Sequence, residues 1–275
     1  MNKSEPPQLN DTLANNPYID AVRLFYSRLR WDLNPYAWAS KKRLKQLKGS
    51  KKGEKAVILC NGPSLNKVDF SLLSETNTYT FGLNQIYRYF DKLAYIPSCM
   101  VMIDGSAVQI HQDFLNSTDL PVFVTHKGLK WVKPRPNTTF LHEVRTKKFA
   151  RDLSMSIYGG YTVTFAALQL AYHMGFDAVA LVGCDHNYFA EGTDKFKDNQ
   201  VKEEDRAKYY LDPSYMDMKG LEAKLGSNKA ESEYSYHMAF DAFFYAGRPV
   251  FNATEGGNLD VFPRLSLKDF LRNDE

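Results

Sequence analysis

A ten-residue stretch, Ala56, Val57, Ile58, Leu59, Cys60, Asn61, Gly62, Pro63, Ser64 and Leu65, places the strongest constraint on this chain. An apolar run of strand type stops at Asn-Gly-Pro-Ser. Such a run, closed by Gly and Pro, reads as a buried strand feeding a tight loop. Gly62 is expected to relax the backbone and to let a ligand come close. Pro63 fixes φ and suits the first turn of a helix. Ser64 is expected to cap that helix. The loop then presents unpaired N–H groups at the C-terminal end of a strand, where open α/β sheets bind ligands. A helix N-terminus there favours phosphate. The plainer alternative is a strand-to-turn junction without a ligand.

Further short apolar runs follow at residues 78–84, 99–104, 121–125 and 138–141. They are apolar throughout rather than alternating, as in parallel strands covered on both faces. Gly159, Gly160, Tyr161 and Thr162 lead into a helix over 163–174, which Gly175 ends as a C-cap. A strand over 178–183 runs into Cys184, Asp185, His186, Asn187 and Tyr188. The polar, tyrosine-rich residues 190–228 read as a mobile lid. A helix over 231–245 carries His237, and a strand near 249–252 and a helix over 267–271 close the chain. The pattern predicts an α/β fold, Rossmann-like, with a mostly parallel doubly wound sheet. Residues 53–275 are expected to form this domain, with its lid at about 190–228. Residues 1–52 form a polar tail and a basic, aromatic helical extension.

That extension interleaves Tyr18, Phe25, Tyr26, Trp31, Tyr36 and Trp38 with lysines and arginines, in two helical pieces split near Asn34 and Pro35. A basic aromatic helix can lie on an anionic membrane surface. The alternative is a helix that packs its aromatics on the domain and solvates its lysines. The net charge of +3 is too small to indicate nucleic acid. The three cysteines, Cys60, Cys99 and Cys184, form no CxxC pair, and read as buried thiols of a reducing compartment. Neither a signal peptide nor a run of transmembrane length is visible. The expectation is a cytoplasmic protein, and contact of residues 18–52 with the inner-membrane surface stays open beside the packed alternative. An oligomer is left open.

Four predicted strand ends fall on one sheet edge: residues 61–64, Asn84, Asp104 and residues 185–188. The Gly160 to Thr162 turn joins them at another helix start. Asn side chains read a sugar hydroxyl or base edge with both donor and acceptor. Walker and GxGxxG patterns are absent, and no His/Cys/Asp set has zinc spacing, so no metal ligand is assigned. His186 and His237 are the candidate bases. Asp104 and Asp185 bind a ribose or metal, or cap the next element. His173, inside the amphipathic helix, is read as structural.

These residues resemble two known families. Residues 57–65, with Gly82, Leu83, Asn84, Gln85, Ile86 and Tyr87, resemble the bacterial lipooligosaccharide sialyltransferases that use CMP-sialic acid. Gly159-Gly160, residues 183–188, residues 252–257 and Phe262-Pro263-Arg264 resemble a related domain. That domain is shared by archaeal 6-hydroxymethylpterin diphosphokinase and bacterial motility-associated nonulosonate transferases. The resemblance implies transfer of a nonulosonic acid from a CMP-sugar donor to a glycan or glycolipid hydroxyl, with no cofactor required. Asn61 and Asn84 would hold the nucleotide, with Gly62, Pro63 and Ser64 near the phosphate and Thr162 near the sugar or phosphate. Tyr188 would steady the departing phosphate. The catalytic His of the sialyltransferases falls near Ala230, two turns before His237. The rival reading is an ATP-dependent diphosphokinase with Mg²⁺ held at Asp104 or Asp185, and a third is a non-catalytic nucleotide-binding module.

Overall fold

In the computed structural model, residues 16–186 and 229–272 are described. The lid expected at about 190–228, and Tyr188, lie outside them. Among the described residues, seven strands form one parallel sheet in the order β5-β4-β3-β2-β1-β8-β9. They are β1 (Lys55–Leu59), β2 (Tyr79–Leu83), β3 (Cys99–Met102), β4 (Val122–Thr125), β5 (Thr138–Leu141), β8 (Ala178–Val182) and β9 (Val250–Asn252). Two short strands, β6 (Glu143–Val144) and β7 (Ile157–Tyr158), pair apart from it. The chain steps outward from β1 to β5, then returns to lay β8 on the other side of β1. Strand order therefore reverses between β1 and β8, the point where doubly wound sheets take ligands.

Successive strand residues face opposite sides, so each strand feeds two cores. Ala56 and Ile58 pack on one side with Phe81, Phe165 and Phe176. Val57 and Leu59 pack on the other with Met100, Met102, Phe140 and Phe270. A fully buried Leu or Phe contributes about 1.5–3 kcal/mol, and this is why both faces must be covered. Helix α7 (Val163–Met174) covers the first face, together with α8 (Lys229–Phe244). The second face takes α3 (Phe70–Glu75), α5 (Gly105–Ile110), α6 (Gln112–Ser117) and α9 (Leu267–Arg272). A 3₁₀ turn over Asn84–Tyr89 and the short α4 (Phe90–Leu93) lie between β2 and β3.

Helices α1 (Pro17–Asp32) and α2 (Pro35–Leu47) are separated at Asn34, whose side chain caps α2 by accepting from the Tyr36 amide at 2.9 Å. Helix α2 seals the outer edge of the sheet. Ser40 Oγ accepts from the Phe140 amide at 3.0 Å, and the Arg43 guanidinium donates to the Thr138 carbonyl. Unpaired strand edges invite aggregation, so this cover matters. The two readings of the extension divide between its residues. Trp31 is buried and stacks on His142 at 5.6 Å, whereas Tyr18, Phe25, Tyr26, Tyr36 and Trp38 stay exposed. No helix among the described residues is long and apolar enough to cross a membrane.

Candidate functional site

Because all seven strands are parallel, their C-terminal ends share one edge. Asn61 follows β1, Asn84 follows β2, Asp104 lies past β3, and Asp185 and His186 follow β8. Asn61 and Asn84 are neighbours across the β1–β2 pair. The Asn61 Nδ2 group donates to the Leu83 carbonyl at 3.0 Å, which fixes the amide and leaves Oδ1 buried without a partner. Asn84 Oδ1 and Gln85 Nε2 are also buried and unpartnered, while Gln85 Oε1 accepts from Arg88 at 3.3 Å. Asn84 has a φ of 47° and His186 a φ of 53°. Left-handed backbone in a non-glycine residue costs about 1–3 kcal/mol and collects at functional sites.

The turn after β1 departs from the sequence expectation in three ways. Gly62 has an ordinary φ of −77°, so it is not there for backbone freedom. A Cβ at Gly62 would collide with Asp185 Oδ2 and lie 2.6 Å from the Gly183 carbonyl. The close approach is made by the protein's own loop. Pro63 opens a five-residue 3₁₀ turn, Pro63–Lys67, with Gly62 at its N-cap, so Ser64 is not a cap. Ser64 instead donates its hydroxyl to Asp185 Oδ2 at 2.7 Å. The N–H groups expected to be unpaired are also taken. The Gly62 amide donates to the Gly183 carbonyl at 2.9 Å, and the Ser64 amide to Asp185 Oδ2 at 3.3 Å. A carboxylate of the chain itself thus sits on the turn.

Asp185 is in turn held by the C-terminal loop. Its carbonyl accepts from the Asn258 amide at 2.8 Å, and a Cβ at Gly257 would lie 2.7 Å from that oxygen. Arg264 ties the loop down by donating to the Gly256 and Gly257 carbonyls at 2.6 and 2.8 Å. The cluster formed by residues 252–257 and 262–264 therefore shapes the strand end beside Asp185.

His186 is buried, with Nε2 at 3.2 Å from Glu233 Oε1 and its ring edge-on to Tyr236. Nothing in the sequence connects Glu233 to His186; the pairing arises only when α8 packs on the sheet. His237 lies one turn beyond Glu233 on α8 and is exposed, with no hydrogen bond recorded to another described residue. Thr162 caps α7, its hydroxyl accepting from the Thr164 amide at 3.3 Å. Thr164 Oγ1 lies 3.6 Å from Cys60 Sγ, which places the start of α7 beside the turn after β1. Gly160 has a φ of 61°, and a Cβ there would lie 2.6 Å from Phe165. The Cys60 thiol is raised well above its usual range by its hydrogen bond with Cys184 and by burial, so it is no nucleophile.

The carboxylates do not gather. Asp104 caps α5, accepting from the Ser106 and Ala107 amides at 2.8 and 3.0 Å. It ends a strand three places from β8, about 14 Å across the sheet from Asp185. No group of three or more His, Cys, Asp or Glu residues that could hold a metal ion occurs among the described residues. His173 is structural, bridging the Leu153 amide and the Leu44 carbonyl at 3.2 and 2.8 Å.

The parallel sheet, its reversal at β1 and β8 and the amide-lined strand ends define a Rossmann-like α/β protein. The chain belongs to the family described as 6-hydroxymethylpterin diphosphokinase MptE-like, whose sequence model matches residues 33–191, more than half of its length. Curated proteins give no match. Among solved structures, the chain is similar to the MAf glycosyltransferase from Magnetospirillum magneticum AMB-1, at 12% identity and a TM-score of 0.48. That likeness covers 85% of this chain and 39% of the other, so this chain spans well under half of that protein's length.

Proposed function

We propose that the chain is a glycosyltransferase that moves a nonulosonic acid from a CMP-sugar donor to a hydroxyl of a bacterial surface glycan. The observation that carries this reading is the set of unpaired amide atoms at adjoining strand ends: Asn61 Oδ1, Asn84 Oδ1 and Gln85 Nε2. A buried polar atom without a partner costs about 1–3 kcal/mol, so three together point to a ligand that satisfies them. Two acceptors and one donor complement an exocyclic amine beside ring acceptors, the pattern cytosine offers. The likeness of residues 61–64 and Asn84-Gln85 to the sialyltransferase pattern selects cytidine.

His186 takes the role of base, oriented by Glu233. It accepts the proton of the acceptor hydroxyl, whose oxygen bonds to the anomeric carbon of the donor. The bond from that carbon to the phosphate oxygen breaks, and its electron pair leaves with CMP. The N-terminus of α7 at Thr162 favours the charge on the departing phosphate. Tyr188 keeps its assigned part in steadying that phosphate, on the resemblance alone.

A second reading is favoured by the family's own description, a diphosphokinase that transfers a pyrophosphoryl group from ATP with Mg²⁺. Its expected ligands, Asp104 and Asp185, lie three strands apart, one capping a helix and the other bonded to Ser64. That donor set does not fit one shared ion, which favours glycosyl transfer. Adenine, however, presents a similar amine beside a ring nitrogen, so the base must be tested directly. A thermal-shift panel of CMP, CDP, UDP, GDP and ATP with Mg²⁺, followed by a transfer assay with CMP-sugars, does this. Stabilisation by CMP and turnover of a CMP-sugar are expected. Preference for ATP overturns the reading in favour of the diphosphokinase. CMP binding without turnover of any donor overturns the enzymatic part and leaves a nucleotide-binding module.

A further inference from the structure

Helix α1 carries an apolar stripe that the other described residues leave uncovered. Tyr18, Val22, Phe25, Leu29 and Leu33 follow one another at spacings of three and four, with Tyr26 beside them. Val22, Phe25, Tyr26 and Leu33 are each 65–69% exposed. Ser27 and Trp31, on the opposite side of the helix, hold it to the domain through His142, and the Arg28 guanidinium donates to the Met155 carbonyl. Tyr36 and Trp38 extend the exposed patch into α2. A run of exposed large apolar side chains along one helix face marks an interaction site.

The charge around the stripe says what it meets. Residues 16–52 hold ten Lys and Arg against two Asp, a net +8 in a chain whose total is +3. The remainder of the chain is thus net acidic, and the cations are concentrated beside the apolar patch. Arg23 and Arg30, seven residues apart, run along one edge of the stripe. Arg30 also lines a cavity of about 760 Å³, together with Lys127, Lys130 and the single carboxylate Asp104. Lys127 is paired with Glu143, while no ion pair is recorded for Arg30 or Lys130 among the described residues. A second copy of the chain is a poor occupant, because a symmetric contact would bring two net +8 segments together. Residues 1–15 are another poor occupant, since Leu9 and Leu13 are their only aliphatic side chains larger than Ala, apart from Met1 and the prolines.

We infer that α1 and the start of α2 form a docking surface for a bilayer of anionic phospholipid. The stripe enters the headgroup region, where Tyr and Trp rings sit with an apolar body and a polar tip. Arg23, Arg30, Lys42 and Lys45 meet lipid phosphates. This surface does not depend on the transferase reading.

Cosedimentation with vesicles tests it without nucleotide present, so its failure is separate from failure of that reading. The full chain is expected to sediment with phosphatidylcholine vesicles containing phosphatidylglycerol, and not with phosphatidylcholine alone. Raising NaCl from about 0.05 to 0.5 M should release it. The double substitution Val22→Glu/Phe25→Glu, at exposed positions, should lower the bound fraction on the order of tenfold with circular dichroism unchanged. Arg23→Gln/Arg30→Gln should weaken binding to the anionic vesicles selectively. The inference is overturned by equal binding to both vesicles, by absence of binding at low salt, or by full binding of the Glu variant. It is also overturned if the protein is a dimer in solution that Phe25→Glu dissociates, which would place a second copy on the stripe.

Discussion

Ser64 donates its hydroxyl to Asp185 at 2.7 Å and so ties the turn after β1 to the loop after β8. These are the two strands between which the sheet order reverses. In such folds that crevice takes the ligand. Here a carboxylate of the chain fills part of it, and the unpartnered polar atoms lie on the other side of β1, toward β2, at Asn61, Asn84 and Gln85.

This contact makes Gly62 intolerant of a side chain. Gly62→Ala would press its methyl group on Asp185 and on the Gly183 carbonyl. The cost should be about 1–3 kcal/mol, a fall of several degrees in melting temperature. In an Asp185→Ala background the same substitution should cost less, because one of the two obstacles is gone. Thermal denaturation of the four proteins measures this coupling. Additive effects would show that the two residues do not press on each other.

The two candidate histidines should separate in the transfer assay. His186 is buried against Glu233, and His237 stands exposed on α8. His186→Gln should lower turnover by about 10²–10⁴ while CMP binding persists. Glu233→Gln should reduce turnover less and displace its pH profile. His237→Gln should remain near the wild-type rate; a larger loss there than at position 186 would reassign the base.

Acid should loosen the attachment of α1. His142 stacks on Trp31, lies 3.2 Å from Ser27 Oγ, and is pushed down to about 4 by burial, with His126, Arg28 and Lys41 adding to it. Burial lowers His126 as well, with help from Lys127. In the unfolded chain such groups titrate near 6.5. Between about 6.5 and 4 the unfolded state binds protons that the folded state refuses. Stability is therefore full above about 6.5 and falls as pH drops toward 4. His142→Phe keeps a ring beside Trp31 and removes one titration. Its melting temperature should fall less between pH 7 and pH 5 than that of the wild type; an equal fall would clear His142 of the effect.

The parallel sheet was legible because strands buried on both faces are written as unbroken apolar runs. Residues 138–141 and the helix over 163–174 stand where the pattern put them, and Gly175 ends that helix with a φ of 94°. What the sequence could not show was which partner each polar residue chooses. Ser64 looked like a cap, yet its partner is 121 residues away. Gly62 looked like a residue needed for backbone freedom, yet what it accommodates is Asp185. Glu233 gave no local sign of its pairing with His186, since that contact is made only between packed elements. The short β6 and β7 carry too few residues for any periodicity.

The central claim is that Asn61 and Asn84 grip a cytidine nucleotide. Titration calorimetry of CMP into the wild type and into Asn61→Ala and Asn84→Ala tests it most directly. Saturable binding of CMP is expected, tighter than that of ATP with Mg²⁺ and weakened on the order of tenfold or more by either substitution. Absence of heat with CMP, or affinity that both substitutions leave unchanged, would contradict it.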